Sequence, residues 1–426
     1  MTTSAASART DAQSEDADLA LLKGTGRTAM VEAALTGSGQ FDPAVHRDLR
    51  VDVHQVHHRP GAGVSVGYRV QYTTPRGPVR DYVVASTAPQ AGDGDGVAVL
   101  NDGVRTVRMW RRPFDPAIPG LRAASDPAVV AAWLREAGYA VEEPVQLRSV
   151  SYRPTRRAVL RADAGELRVF IKVLPERKAE DLATRHELLA AAGVPAPRLL
   201  ARPEPAICVL SAARGRPLAE AIAGAGDHPE LMPAPAELVG WLDLLPPETM
   251  QLRRRSSWAD RLDFHTAAAA AALPEQREQV VDLGTRLADA LTTVRAEEEV
   301  PAHGDYYEAN VFTADGTVSE VIDVDSLGPG RRSDDLATML GHVAVLPDLA
   351  PQVYRDTPAV LDRMREDFET RVPAHTLRIR TAAVVLSLIA GATQDQAQAR
   401  LRIATEWAGA AAQTRRGANT SLRTFS

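Results

Sequence analysis

The sequence changes its period part-way along, and that change restricts the fold more than any other feature. Runs at 51–56, 64–72, 82–86, 97–100 and 104–110 are rich in β-branched and aromatic residues and are punctuated by Gly and Pro, the pattern of short strands. A second strand-rich block begins at Pro144, with a hairpin starting at Val150-Ser151-Tyr152-Arg153-Pro154 and a strand at Val169-Phe170-Ile171-Lys172-Val173. From about Ala179 the apolar residues recur at helical spacing, over 180–192, 229–244, 257–273, 275–295, 333–345, 359–371, 376–392 and 394–413. Gly193 is placed to cap the first of these helices, and Pro195 and Pro197 prevent its continuation. Strands followed by helices predict an α+β chain with a small β-rich lobe and a large helical one.

At 426 residues the chain spans two to three domain lengths, and 45% hydrophobic with 24% charged residues can build a core without staples. Lys and Arg number 49 against 55 Asp and Glu, a net charge of −6, which speaks against a nucleic-acid binder acting through a basic face. The single cysteine, Cys208, excludes a disulfide framework and a multi-thiolate metal site and fits a reducing, cytoplasmic setting. Residues 1–20 lack an apolar segment and read as a disordered tail, and the most continuous apolar stretch, 382–392, is too short to cross a bilayer. No membrane partner is expected.

The expected division is a tail at 1–20, an N-terminal cap at 21–143, a small lobe at 144–215, a helical lobe at 216–412 and a loose tail at 413–426. Asp126-Pro127 marks a helix start, and Gly92-Asp93-Gly94-Asp95-Gly96 and Gly61-Ala62-Gly63 read as turns. Val56-His57-His58-Arg59-Pro60 echoes Val150-Ser151-Tyr152-Arg153-Pro154, which suggests a degenerate duplication of the strand-rich block. His54 and His57 fall on opposite strand faces and make no metal pair.

The chemistry is concentrated in His303-Gly304-Asp305-Tyr306-Tyr307-Glu308-Ala309-Asn310, followed by Val321-Ile322-Asp323-Val324-Asp325. Phosphoryl transfer needs a carboxylate beside the acceptor hydroxyl and oxygen ligands for magnesium on the phosphates. A kinase catalytic loop supplies the first as an Asp with an Asn five residues later, and a metal-binding Asp follows at a strand end. Asp305 and Asn310 have that separation, and Asp323 ends an apolar run. Upstream, Val169-Phe170-Ile171-Lys172 has the form of the strand lysine that pairs with nucleotide phosphates. Its partner carboxylate on the next helix is read as Glu187, with Glu180 as the alternative.

These residues resemble the aminoglycoside phosphotransferase and choline kinase-like superfamily. Gly193-Val194-Pro195-Ala196-Pro197, Arg214-Gly215-Arg216-Pro217-Leu218 and Asp334-Asp335-Leu336-Ala337 are also similar to its motifs, and the likeness covers roughly 144–412. It implies a bilobal protein-kinase-like fold, ATP and Mg2+ as cofactors, and a small-molecule hydroxyl as acceptor. By the same resemblance Asp305 is the catalytic base or hydroxyl-orienting residue and His303 braces its loop. Asn310 and Asp323 hold magnesium with help from Asp325. Lys172 holds the phosphates, and Val209 to Ala212, with Ser211, forms the adenine-contacting hinge. Glu308, Asp334, Asp335 and Trp258 are candidate acceptor-pocket residues, with a helix-fixing role as the other reading of Asp335.

The chain departs from the protein kinases within that group. No glycine-rich loop precedes the lysine strand, so Tyr152-Arg153-Pro154-Thr155-Arg156-Arg157 would have to cover the phosphates, and no activation-loop signature follows Asp323. The extra region at 21–143 is similar to the N-terminal cap of actinobacterial maltokinases and glucosamine kinases. A sugar or aminosugar kinase is therefore the expectation, with an antibiotic phosphotransferase of the aminoglycoside type as one alternative and a nucleotide-binding pseudokinase scaffold as another.

Overall fold

The computed structural model describes residues 15–39, 41–58, 63–89, 91–94, 96–142 and 144–423, without the side chains of 415–423. Residues 1–14, Arg59, Pro60, Gly61, Ala62, Asp95 and the last three residues lie outside these, and with them parts of the expected tails, turns and echoed motif. The chain divides into two compact units, one of Met1–Asp181 with Leu199–Ala212 and one of Leu182–Arg198 with Ala213–Ser426. The first is β-rich and the second helical, the bilobal α+β organisation of protein-kinase-like folds.

In the first unit, helices α1 (15–23) and α2 (Arg27–Gly37) precede a sheet of β1 (Arg47–His58), β2 (Val64–Thr74), β3 (Gly77–Ser86), β4 (Val97–Asn101) and β5 (Thr106–Arg111). Helices α3 (Leu121–Ala124) and α4 (Pro127–Glu136) follow. A second sheet then forms from β6 (Gln146–Arg153), β7 (Arg157–Ala164), β8 (Leu167–Val173), β9 (Leu199–Ala201) and β10 (Ile207–Ser211), with α5 (Glu176–Ala191) between β8 and β9. Both sheets are antiparallel throughout and share one strand order, β1-β2-β3-β5-β4 and β6-β7-β8-β10-β9. Each first strand also carries a register shift, between Val53 and Gln55 and between Ser149 and Ser151. The common topology is what a duplication of the strand-rich block requires.

The second sheet alternates as its sequence does. Ala158, Leu160, Ala162 and Ala164 of β7 are buried, while Arg157, Val159, Arg161 and Asp163 on the other face are half-buried. The buried face shares a core with Val84 and Trp110 of the first sheet and with Leu121, Val130 and Leu134 of α3 and α4. Asp126 caps α4, accepting from the N–H groups of Ala128 and Val129, with Pro127 at the first helical position. On its other side the first sheet packs Val66, Tyr68, Val70 and Met109 against Leu22, Val31 and Leu35. Residues 15–20 are therefore helical where a loose tail was expected. Leu22 is fully buried and its carbonyl accepts the Tyr68 hydroxyl at 2.7 Å, so the segment has tertiary contacts that its polar composition hides.

The second unit contains α6 (Leu218–Ala223), α7 (Pro235–Asp243), α8 (Leu262–Ala272), α9 (Arg277–Thr292), α10 (Arg332–Ala344), α11 (Leu346–Leu349), α12 (Thr357–Arg371), α13 (Ala374–Ser387) and α14 (Gln394–Arg423). The helix expected over 229–244 is broken by its prolines into a 3-10 turn at Pro229–Leu231 and the shorter α7. At the other end, α14 continues through 413 to Arg423, where a loose tail was expected. Helix α13 is buried along most of its length and forms a core with Leu283, Leu287 and Leu401, which explains its continuous apolar run. No helix among the described residues is long and apolar enough to cross a membrane.

Candidate active site

After β11 (Arg216–Pro217), four short strands of the second unit bring the motif residues together. β13 (Val311–Ala314) and β14 (Thr317–Val321) form a hairpin through a turn at Asp315-Gly316, both with positive φ. Its register sets Val311 opposite Val321, so Asn310 and Asp323 emerge from the same open end, and the Ile322 N–H donates to the Asn310 carbonyl at 2.8 Å. β12 (Val300–Ala302) pairs with β15 (Gly328–Gly330), Ala302 facing Gly328. That pairing delivers His303-Gly304-Asp305 beside the segment that follows Asp323.

His303 ties the two stretches through both ring nitrogens. Its Nδ1 accepts the Asp305 N–H at 3.2 Å, which leaves the proton on Nε2, and Nε2–H donates to the Ile322 carbonyl at 3.0 Å. The ring is fully buried and held as one neutral tautomer. Asn310 is 4% exposed, and its Nδ2 donates to the Asp305 carbonyl at 2.9 Å, so its Oδ1 is the end of the amide available to a cation. Asp323 adopts the left-handed conformation, φ 60° and ψ 47°, a strained geometry that Asp tolerates better than most residues and that clusters at functional sites. Gly304 has φ +77° and a Cβ there would lie 2.8 Å from the Ser326 carbonyl oxygen, so this position needs glycine for both torsion and space.

Two buried groups not assigned to the chemistry hold this loop in shape. The Asp335 carboxylate accepts the His303 and Gly304 N–H groups, each at 2.8 Å. Burial pushes that carboxyl up to about 7 against the pull of the two N–H donors. Tyr306 is fully buried, donates to the Leu238 carbonyl at 2.9 Å, and stacks on Trp241 at 5.9 Å and 14°. Trp241 Nε1–H donates to the Pro195 carbonyl at 2.8 Å, and the same oxygen accepts the Val321 N–H at 3.2 Å. Arg185 Nε–H donates to the Leu327 carbonyl at 3.1 Å, tying the interior of α5 to the chain beyond Asp325. Trp241 and Arg185 were not anticipated, and Pro195 was read as a helix stop and motif residue only, because no local spacing marks a residue whose role is to support a loop distant in sequence.

An amide oxygen from Asn310 with carboxylates from Asp323 and Asp325 is an oxygen-only set, the kind that suits magnesium, which keeps several waters and takes phosphate oxygens as its other ligands. Among the described residues no group of three or more His, Cys, Asp or Glu side chains could hold a metal ion by itself. The donors present fit a metal that arrives with its substrate. They do not form a closed structural cage.

A model of the phosphotransferase enzyme family matches residues 150–366, just over half of the sequence and all of the loop just described. The chain belongs to the phosphotransferase enzyme family. Solved structures similar to it include the aminoglycoside phosphotransferase APH(4)-Ia, with 16% identity, 67% of this chain and 98% of that chain covered, and a TM-score of 0.44. A choline kinase from Cryptosporidium parvum Iowa II shows 11% identity, 70% and 97% coverage and a TM-score of 0.44. A macrolide 2'-phosphotransferase from Brachybacterium faecium shows 15%, 65%, 96% and 0.36 in the same order. No match is found among curated proteins.

In this phosphotransferase the remaining expected residues fall as follows. Lys172 lies half-buried next to the last residue of β8, paired with Val159 and Cys208, on the face opposite to buried Ile171 and Val173. Val209 is buried and pairs with Ile171, Ser211 pairs with Val169, and the Ala212 N–H extends the ladder to the Arg168 carbonyl at the point where the first unit ends. Glu187 is exposed on α5 and belongs with the second unit, whereas Glu180 belongs with Lys172 in the first. Trp258 packs against His265, ring centroids 5.1 Å apart. Asp334 pairs with Arg380 at 2.6 Å and Arg331 at 3.4 Å, and Asp335 is taken up by the loop backbone. Glu308 is 6% exposed, burial pushes it up to about 7, and its Oε2 has no hydrogen-bond partner among the described residues.

Proposed function

We propose that the chain is an ATP- and Mg2+-dependent kinase that transfers the γ-phosphoryl group to a hydroxyl of a small molecule, with a sugar or aminosugar as the acceptor class. The observation that carries this reading is the joint anchoring of Asp305, Asn310 and the Asp323 segment by His303 and by one hairpin register. Asp305 would accept a hydrogen bond from the acceptor hydroxyl, orient its lone pair in line with the terminal phosphorus, and take the proton as the new P–O bond forms and the bond from that phosphorus to the β–γ bridging oxygen breaks, ADP leaving with the electron pair. Asn310 and Asp323, with Asp325, would hold the ion, which supplies charge neutralisation on the phosphates when bound. Lys172 would contact the phosphates, and Val209 to Ser211 the base. The partner of Lys172 would come from α5, as Glu187 or, in the alternative, Glu180.

The acidic residues expected to meet a cationic acceptor are largely committed elsewhere. Asp334 is neutralised by two arginines and Asp335 by backbone donors, which weighs toward a sugar hydroxyl over a polycationic antibiotic. The test is ADP release with a panel of sugars, aminosugars and aminoglycosides, using wild type and Asp305→Asn. Turnover on a sugar that disappears in the variant, with nucleotide affinity retained, is the expected result. Full activity in Asp305→Asn, or no response to any acceptor, would overturn the reading.

A further inference from the structure

The first unit contains a buried carboxylate that the proposed chemistry does not use. Asp115, 2% exposed, lies in the segment joining the first sheet to α3, and its carboxylate is surrounded by hydrogen-bond donors. Its Oδ2 accepts the Tyr152 hydroxyl at 2.7 Å and the Thr155 N–H at 2.9 Å, and its Oδ1 accepts the Ala117 N–H at 3.0 Å. Tyr152 is itself held, accepting Trp110 Nε1–H at 3.0 Å under the Arg112 guanidinium, 5.3 Å from its ring centroid. The tip of the β6–β7 hairpin is thereby fastened to the chain that leaves the first sheet.

We propose that Asp115 is a positioning residue for nucleotide phosphates, fixing the hairpin tip so that Arg153 and Arg156, and not backbone N–H groups, cover them. The proposal rests on the kinase reading above. A glycine-rich cover works by lying its backbone over the phosphates. This tip has no glycine between Tyr152 and Arg157, and the Thr155 N–H, which such a cover would turn toward an anion, is spent on Asp115. Thr155 has φ +61°, a conformation that a β-branched residue adopts only when its surroundings impose it, and the Asp115 bond is the contact that does so. Arg153 and Arg156 flank Thr155, and the Arg156 N–H closes the turn on the Arg153 carbonyl at 3.0 Å. Both arginines act on His57 at the end of β1, where, after burial, their charges are the groups that hold its imidazole neutral. Both arginines thus leave a single turn of the sheet that carries Lys172. A guanidinium on a fixed turn loses less freedom on meeting a phosphate than one on a mobile loop.

Asp115→Asn keeps the shape but turns an amide N–H2 against donors. Calorimetric titration of the full chain with Mg-ATP and with adenosine separates the effects. The expected result is about a tenfold loss of Mg-ATP affinity with adenosine affinity unchanged. The double variant Arg153→Gln, Arg156→Gln should reproduce that selective loss at an unchanged melting temperature, and it decides the matter if Asp115→Asn does not fold. An equal loss for both ligands, no loss, or a silent double variant would overturn the proposal while wild-type binding leaves the kinase reading standing. Wild type that binds neither ligand would overturn both.

Discussion

Glu308 offers a stability test with a sign and a size. Its carboxyl is almost wholly buried in the helical unit, without a hydrogen-bond partner for Oε2 among the described residues, and it is raised from 4.5 to about 7 by desolvation. A raised carboxyl means that the folded chain keeps a proton which the unfolded chain releases. The contribution of Glu308 to stability is therefore greatest below about pH 4.5, falls as pH rises toward about 7, and is flat beyond. At about 1.36 kcal/mol for each pH unit between the two values, the loss is roughly 3 kcal/mol. Glu308→Gln keeps the shape and removes this titration, so it should lack this share of the fall, while the share from Asp335 stays in both proteins. Urea unfolding followed by the fluorescence of Trp241, stacked on Tyr306 in the same unit, measures both proteins at about pH 4.5, 6 and 8. The variant should gain on wild type by roughly 3 kcal/mol across that range. A difference that stays constant with pH would show that Glu308 ionises freely and would refute the desolvation argument.

Asp335→Asn should set an amide N–H2 against one of the two loop N–H groups it now accepts, costing roughly 2 kcal/mol. Displacement of Asp305 should cut kcat about a hundredfold. Nucleotide affinity should hold, and an unchanged kcat would contradict the positioning role. Arg380 is 7% exposed and pairs with Asp334 at 2.6 Å and Glu297 at 3.3 Å. Arg380→Met should take the arginine from Glu297 and leave Asp334 only its longer pair with Arg331, lowering the urea stability by about 3 kcal/mol. A loss below about 1 kcal/mol would mean that the pair is screened like a surface bridge.

Much of this protein was legible in the chain because the signals are local. The run at 169–173 marked the lysine strand, Asp126-Pro127 announced α4, and Gly193 ended the helix after the lysine strand. The echo between Val56–His58 and Val150–Tyr152 anticipated two sheets with one strand order. Readings failed where a distant partner decided the outcome. Residues 15–20 look like solvent-loving chain until Tyr68 and the first sheet receive the helix they form. Asp334 looks like a ligand for a cation until Arg380, 46 residues later, takes it.

By itself, the sequence determined the division into strands and helices and the residue types able to carry phosphoryl transfer. Those follow from backbone torsion preference and side-chain chemistry, which act over a few residues. Only the tertiary structure decided that His303 would brace Ile322, that Asp335 would serve the loop and not a ligand, and that Asp115 would hold a turn forty residues away. Those outcomes depend on which polar groups lose water together when distant segments pack. A buried donor or acceptor must then find its partner wherever the fold has brought one.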